Sequence, residues 1–224
     1  METLAWLFSI DTIVAVVFDY PLSLGELLGT TFGMWSVLLA ARARVWNYPI
    51  GMLNSLFFFA SFYQVQLYAD MFLQVYFVIM SLYGWWHWVY PRVKQRTSTG
   101  DLSMTRAGWR YLGVLGAIIA TSVIVFGVLL QQIHLLIPTY FPLPAAFPFW
   151  DALVMVLSIA AMYLLARKIW ETWVLWILVD CISIVLFWVK GLQLISLEYV
   201  VFLGIASYGC WWWSKQMKRE PVNA

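Results

Sequence analysis

The sequence predicts an all-α polytopic membrane protein with seven transmembrane helices, arranged as two parallel three-helix repeats joined by a linker helix. Three observations predict it: the apolar composition, the one-sided placement of basic residues, and an internal repeat. Of 224 residues, 63% are hydrophobic, only 11% are charged and 15 are tryptophan. A soluble domain of this length could not hide so much apolar surface, so its solvent is the bilayer. The net charge of +2 says little, whereas the place of each charge says much more.

Residues 4–18, LAWLFSIDTIVAVVF, are short and interrupted by Asp11. They read as a helix lying on the outer membrane surface, with an eighth crossing as the alternative. Glu2 and the lack of an early Lys or Arg argue against a cleavable signal peptide. Pro21 precedes the first spans, about 22–41, 47–66 and 69–90. A fourth, about 110–132, leads to a hairpin punctuated by Pro138, Pro142, Pro144 and Pro148. The last three cover about 150–167, 172–190 and 195–214. The domains are then 1–21 (outer N-terminal segment), 22–90 (first repeat), 91–149 (loop, linker helix and outer hairpin), 150–214 (second repeat) and 215–224 (tail).

Seven spans put Arg42, Arg44, Arg92, Lys94, Arg96, Arg106, Arg110, Arg167, Lys168, Lys215, Lys218 and Arg219 on one side, and Lys190 alone on the other. By the positive-inside rule the N-terminus is outside and the C-terminus cytoplasmic. The acids Asp11, Asp19, Glu26, Asp70, Asp151 and Glu198 fall at the outer ends. The repeat emerges at an offset of 125 residues, where Glu26 meets Asp151, Arg42 meets Arg167 and Phe77 meets Phe202. In the same register Tyr83 meets Tyr208, Gly84 meets Gly209, Trp86 meets Trp211 and Trp88 meets Trp213. Three helices is an odd number, so the fourth is needed to give both repeats one orientation. That 3+1+3 plan places substrate between the repeats near mid-depth.

The sixth span carries a single ionisable group, Asp180, near its middle, and Trp173, Trp176 and Phe187 share its face at 100° per residue. A carboxylate at that depth faces a bundle interior or a wet cavity. It is either a structural acid bonded to neighbouring helices or part of a receptor; two indoles beside it favour a receptor for a flat, cationic molecule. In the second span Asn47, Gly51, Asn54, Phe58 and Ser61 share a face, and in the third Gln74, Phe77, Ser81, Trp85 and Trp88 do. Singly, such amides serve as helix-to-helix glue; as a set facing the acid they suggest a polar cavity. Trp46 opens the second span, and a tryptophan there is more often an interface anchor. Trp85, Trp86, Trp88 and the run Trp211, Trp212, Trp213 read as interfacial belt by the same reasoning. Cys181 and Cys210 read as packing residues. Gly113, Gly116, Ala120 and Gly127 allow close approach along the fourth span, which suits a peripheral helix contacting another protomer.

No phosphate-binding loop, Ser/His/Asp set or H-E-x-x-H occurs, so neither nucleotide hydrolysis nor another enzymatic activity is expected. His87 and His134 lie near helix ends without a partner at ligand spacing, so no metal is expected, and no cofactor or nucleic-acid partner either. No Lys or Arg occupies mid-depth, which disfavours phosphorylated substrates. No relay of acids and histidines points to proton coupling.

WNYPIGMLNSLFFF (46–59), DMFLQVYFVIMSLYGWW (70–86) and W-x-x-W-x-x-x-D at 173–180 together resemble the PnuC family of bacterial vitamin transporters, over roughly residues 22–214. The resemblance implies a fold like the SWEET sugar transporters, a homotrimer in the bacterial inner membrane, and uptake of nicotinamide riboside by facilitated diffusion. It also implies a cytoplasmic kinase, not encoded here, that traps the product by phosphorylation. On that substrate Trp173 and Trp176 would stack against the cationic ring, and Asp180 would supply charge or accept from hydroxyls. Asn47, Asn54 and Gln74 would hydrogen-bond the ribose or carboxamide, with Trp46 and Phe58 completing the lining. Alternating access would rock one repeat on the other, with Pro49 and Gly51 as hinge points. Thiamine, also a flat cation, and riboflavin are substrates implied for sister members. A membrane assembly subunit is the reading from a different class, and it predicts no small-molecule binding.

Overall fold

The computed structural model describes residues 5–64, 68–95, 97, 100–139 and 144–219. Residues 1–4, Arg96, Pro142, the end of the second span and residues 220–224 lie outside the described set, as do the side chains of Asp70 and Lys94. Among the described residues, a short helix α1 (Ala5–Phe8) and two strands, β1 (Ile13–Val17) and β2 (Tyr20–Ser23), lead into seven long helices. These are α2 (Leu24–Ala41), α3 (Asn47–Gln64), α4 (Tyr68–Val89), α5 (Trp109–Leu136), α6 (Pro148–Ala166), α7 (Thr172–Val189) and α8 (Gln193–Arg219). Five of them, α2, α5, α6, α7 and α8, are long and apolar enough to cross a bilayer. Polar residues such as Asn47 and Asn54 in α3 and Gln74 and His87 in α4 make those two helices less apolar. Residues 215–219, expected in the tail, continue α8.

The N-terminal segment corrects the expectation of a surface helix over 4–18. Among its described residues only Ala5–Phe8 is helical; β1 and β2 pair antiparallel around a turn in which Phe18 (φ 52°) and Asp19 (φ 60°) both take left-handed conformations. That pair of positive angles matches the right-handed twist of a two-residue hairpin. A run of Ile and Val favours the pleated form, which the helical reading overlooked. Ser23 then caps α2: its hydroxyl accepts from the Glu26 N–H at 3.2 Å, while Glu26 Oε2 accepts from the Ser23 N–H at 3.0 Å. Burial and the neighbouring Glu26 carboxylate, which accepts from Tyr20 Oη at 2.6 Å, hold the Tyr20 hydroxyl well above the usual tyrosine range.

The long helices pack in sequence, α2 on α3 on α4 and α6 on α7 on α8, and the two groups meet where α2 touches α8 and α4 touches α6. Helix α5 packs on α6, where Gly127 admits the ring of Phe149; nothing approaches Gly113 or Gly116, which look outward. Gly25, Gly29 and Gly33 line up at four-residue spacing on α2, with Phe57 and Phe58 against Gly29 and Asn54 against Gly33. A stripe of small residues is how helices approach closely when lipid supplies no hydrophobic drive.

Positions offset by 125 residues occupy matching places. The turns after α2 and α6 carry left-handed residues at Ala43 (φ 52°) and Lys168 (φ 55°). Both are closed by matching backbone bonds, Arg44 N–H to Leu39 O at 2.8 Å and Ile169 N–H to Leu164 O at 3.0 Å. Tyr48 fills the space over Gly84 and Trp173 the space over Gly209. Each meets a tryptophan edge-on, Tyr48 with Trp88 at 5.2 Å and Trp173 with Trp213 at 5.6 Å. Arg42, Arg44, Arg167 and Lys168 lie in the α2–α3 and α6–α7 turns, and Arg92, Arg106, Arg110, Lys215, Lys218 and Arg219 lie near the end of α4, the start of α5 and the end of α8, which together make up the basic end. At the opposite, acidic end Lys190 pairs with Asp151 at 2.6 Å, both partly exposed. Exposed pairs contribute little, so Lys190→Met is expected to change thermal stability in detergent by less than about 1 kcal/mol.

Candidate functional site

Asp180 sits halfway along α7 and is 3% exposed, yet its carboxylate has no hydrogen-bond or ionic partner among the described residues. A structural acid would be bonded to its neighbours, since an isolated buried charge is among the costliest arrangements in a fold. One turn toward the acidic end, Ser183 is fully buried with its hydroxyl unpaired. Residue spacing of three puts the two on one face; that spacing was the signal by which sequence reasoning could have found Ser183. Trp176 lies one turn toward the basic end, partly buried. Gln74 of α4 is also buried, and its carboxamide makes no hydrogen bond among the described residues.

The amides of α3 are committed to seams. Asn47 Nδ2 donates to Arg44 O in the turn before α3 at 2.7 Å, and the Asn47 backbone carbonyl accepts from Ser36 Oγ of α2 at 2.8 Å. Asn54 Nδ2 donates to Gly29 O at 2.8 Å, which leaves its oxygen available. A carbon placed on Gly33 would lie 2.9 Å from Asn54 and 3.7 Å from the Phe202 ring, so Asn54 sits where α2, α3 and α8 converge. Phe58 packs on Gly29 and stacks on Phe62 at 5.7 Å.

Two of the expected site residues stand elsewhere. Trp46 is 66% exposed at the basic end, the position of an interface anchor. Trp173 is 1% exposed and locked between Gly209 and Trp213; by helical rise it lies about 10 Å from Asp180. The expectation that Trp88 and the tryptophan run are belt needs correction too. Trp211 is exposed, but Trp88 is buried and Trp213 is 0% exposed, the centre of an aromatic cluster. Cys181, expected to pack, is exposed, whereas Cys210 is half-buried. Tyr48, passed over in the sequence, belongs to the same cluster as Trp88, Trp173 and Trp213. A cavity of about 240 Å³ opens between α2 and α8 near the acidic end, lined by Thr30, Met34, Leu197 and Glu198 among others. Thr30 Oγ1 donates there to Glu198 at 3.2 Å.

Long apolar helices enclosing partnerless polar groups at mid-depth define a multi-pass helical membrane protein with a polar interior. The family described as "Nicotinamide mononucleotide transporter" matches residues 23–215. The nicotinamide riboside transporter PnuC of Escherichia coli strain K12 is 34% identical over 223 residues, 92% of this chain and 91% of that protein. The riboflavin/roseoflavin transporter RibM of Streptomyces davaonensis is 27% identical over 92% of this chain and 93% of its own length. The crystal structure of the vitamin B3 transporter PnuC superposes with a TM-score of 0.66 at 23% identity, covering 86% of this chain and 81% of that one. The chain belongs to the nicotinamide mononucleotide transporter family.

Proposed function

We propose that this protein takes up nicotinamide riboside by facilitated diffusion. The observation that carries the substrate is the 34% identity to the E. coli riboside transporter over nearly the whole of both chains. The buried, partnerless carboxylate of Asp180 supports it, because the riboside presents a cationic ring and hydroxyl donors. Although the family's description names the mononucleotide, no Lys or Arg stands at mid-depth to meet a phosphate, which favours the riboside.

In this reading Asp180 is the anchor, Trp176 stacks on the ring, and Asn54, Gln74 and Phe58 line the site with Ser183. Asn47 and Trp173 support it from the basic end, and Trp46 holds the membrane interface. The seven helices work as a 3+1+3 assembly of parallel repeats, a plan supported by the matching turns at Ala43 and Lys168 and by the quasi-equivalent contacts α4 to α6 and α8 to α2. Rocking of one repeat on the other, hinged near Pro49 and Gly51, exposes the site alternately. The basic end faces the cytoplasm of a bacterial inner membrane. A homotrimer, with the outward face of α5 available for contact between protomers, and a cytoplasmic riboside kinase that traps the product complete the proposal.

Calorimetry on detergent-purified protein with nicotinamide riboside, nicotinamide mononucleotide, thiamine and riboflavin tests it. The riboside is expected to bind at least about tenfold more tightly than the mononucleotide. Riboflavin is the second reading, favoured by the similarity to RibM, and preferential binding of riboflavin would establish that reading instead.

A further inference from the structure

Between α4 and α5 the chain crosses the basic end of the second helix group and is fastened there. Thr105 forms a parallel bridge with Ile169: the Thr105 N–H donates to Lys168 O at 3.2 Å, and the Trp170 N–H donates to Thr105 O at 2.9 Å. The Ala107 N–H donates to Glu171 Oε2 at 3.0 Å, and the Arg106 guanidinium lies over the Trp170 ring at 4.4 Å. Leu102, 3% exposed, enters the aromatic cluster beneath.

That cluster joins the two helix groups. Trp88 of α4 meets Trp213 of α8 at 6.2 Å. Trp213 Nε1 donates to Ala40 O of α2 at 3.2 Å, and Tyr48 Oη of α3 donates to Leu165 O of α6 at 3.5 Å. Ala40 and Leu165 are themselves an equivalent pair at the 125-residue offset. Each carbonyl therefore receives one aromatic donor, and in each half the second donor, Trp88 Nε1 or Trp173 Nε1, is buried without a partner. A seal meant to be permanent would pair them, because an orphaned buried donor is costly. Parting the cluster would give both indoles access to water.

Lys168 spans the seam. It is 7% exposed, its Nζ donates to Leu102 O at 2.7 Å, and it lies over the Trp88 ring at 4.8 Å. Its backbone is left-handed (φ 55°), where glycine would be unstrained, so the position holds a lysine against conformational preference.

We propose that residues 102–107 are a latch on the basic-end exit, with Leu102 as its plug and Lys168 as the cation that ties the latch to the first helix group. The latch holds the Tyr48, Trp88, Trp173 and Trp213 seal shut and is released when the repeats rock apart. This deepens the transporter reading and rests on it. Rocking requires the acidic end to close as the basic end opens, so a latch differs from simple packing in moving the two ends oppositely.

The test uses full-length protein in vesicles with Cys181→Ser, so that Cys210, whose carbonyl accepts from Trp170 Nε1 at 3.0 Å, reports the basic end. Leu194→Cys, which lines the cavity in the first turn of α8, reports the acidic end in a Cys181→Ser, Cys210→Ser background. Into each we place Lys168→Met, which keeps the stem, or Leu102→Ala. Alkylation of Cys210 by a charged maleimide is expected to speed up on the order of tenfold, and labelling at position 194 to slow. Both rates rising together would mean loosened packing and would overturn the latch, as would no change in protein whose melting temperature is retained. Should Leu102→Ala fail to fold, Lys168→Met decides alone. Riboside binding by the unsubstituted protein is measured separately, so failure of the transporter reading is told apart from failure of the latch.

Discussion

Asp180→Leu is expected to raise the thermal stability of the purified protein while reducing nicotinamide riboside affinity by tenfold or more. The affinity loss follows from the chemistry of the group: charged hydrogen bonds contribute about 1.5–3 kcal/mol each, which is roughly ten- to a hundredfold in Kd. The stability gain follows from burial without a partner, for removing an uncompensated charge relieves desolvation that nothing in the described fold offsets. Opposite signs in the two measurements make the experiment decisive. A structural acid would give a less stable protein, and unchanged riboside affinity in both Asp180→Leu and Asp180→Asn would remove Asp180 from the site. Asp180→Asn keeps the shape and removes the charge, so it isolates the electrostatic part. Trp176→Ala is expected to weaken binding by about 2 kcal/mol if its indole stacks on a desolvated cation.

Gly84→Ala is expected to destabilise the protein by about 1–3 kcal/mol, the usual penalty for forcing atoms into a filled core. A carbon there would lie 2.5 Å from the Tyr48 ring. Tyr48 cannot retreat, since it is fully buried, donates to Leu165 O and packs edge-on against Trp88. Gly209→Ala meets the same obstacle at 2.8 Å from Trp173. Gly113→Ala supplies the control: nothing lies within 4 Å of that site, so only helix propensity acts, favouring alanine by up to about 1 kcal/mol. Melting curves of the three variants in one detergent measure these differences. Equal effects at Gly84 and Gly113 would show that the ring does not fill the space over Gly84.

The helices were legible because hydrophobic length and charge placement are local properties. All seven expected spans start within two residues of an observed helix, and α8 differs mainly by running on to Arg219. The repeat was legible for the same reason, since Gly84 and Gly209 recur in register with their tryptophans. Asp180 could be singled out because a lone acid in an apolar run is conspicuous whatever surrounds it. The hairpin at Ile13–Ser23 was not, because a run of β-branched residues broken by one acid reads equally well as a short amphipathic helix.

Sequence by itself determined that this chain lives in a bilayer, where its long helices begin and where its buried acid lies, because each is set by the free energy of one residue or one helix in lipid. Tertiary structure decided which side chains meet. It turned Asn47 and Asn54 to backbone carbonyls, buried Trp213 while leaving Trp211 outside, and locked Trp173 against Gly209 and Trp213. Neighbouring tryptophans on one helix differ only in rotation about its axis, and the face that is covered is chosen by helices far away in the chain.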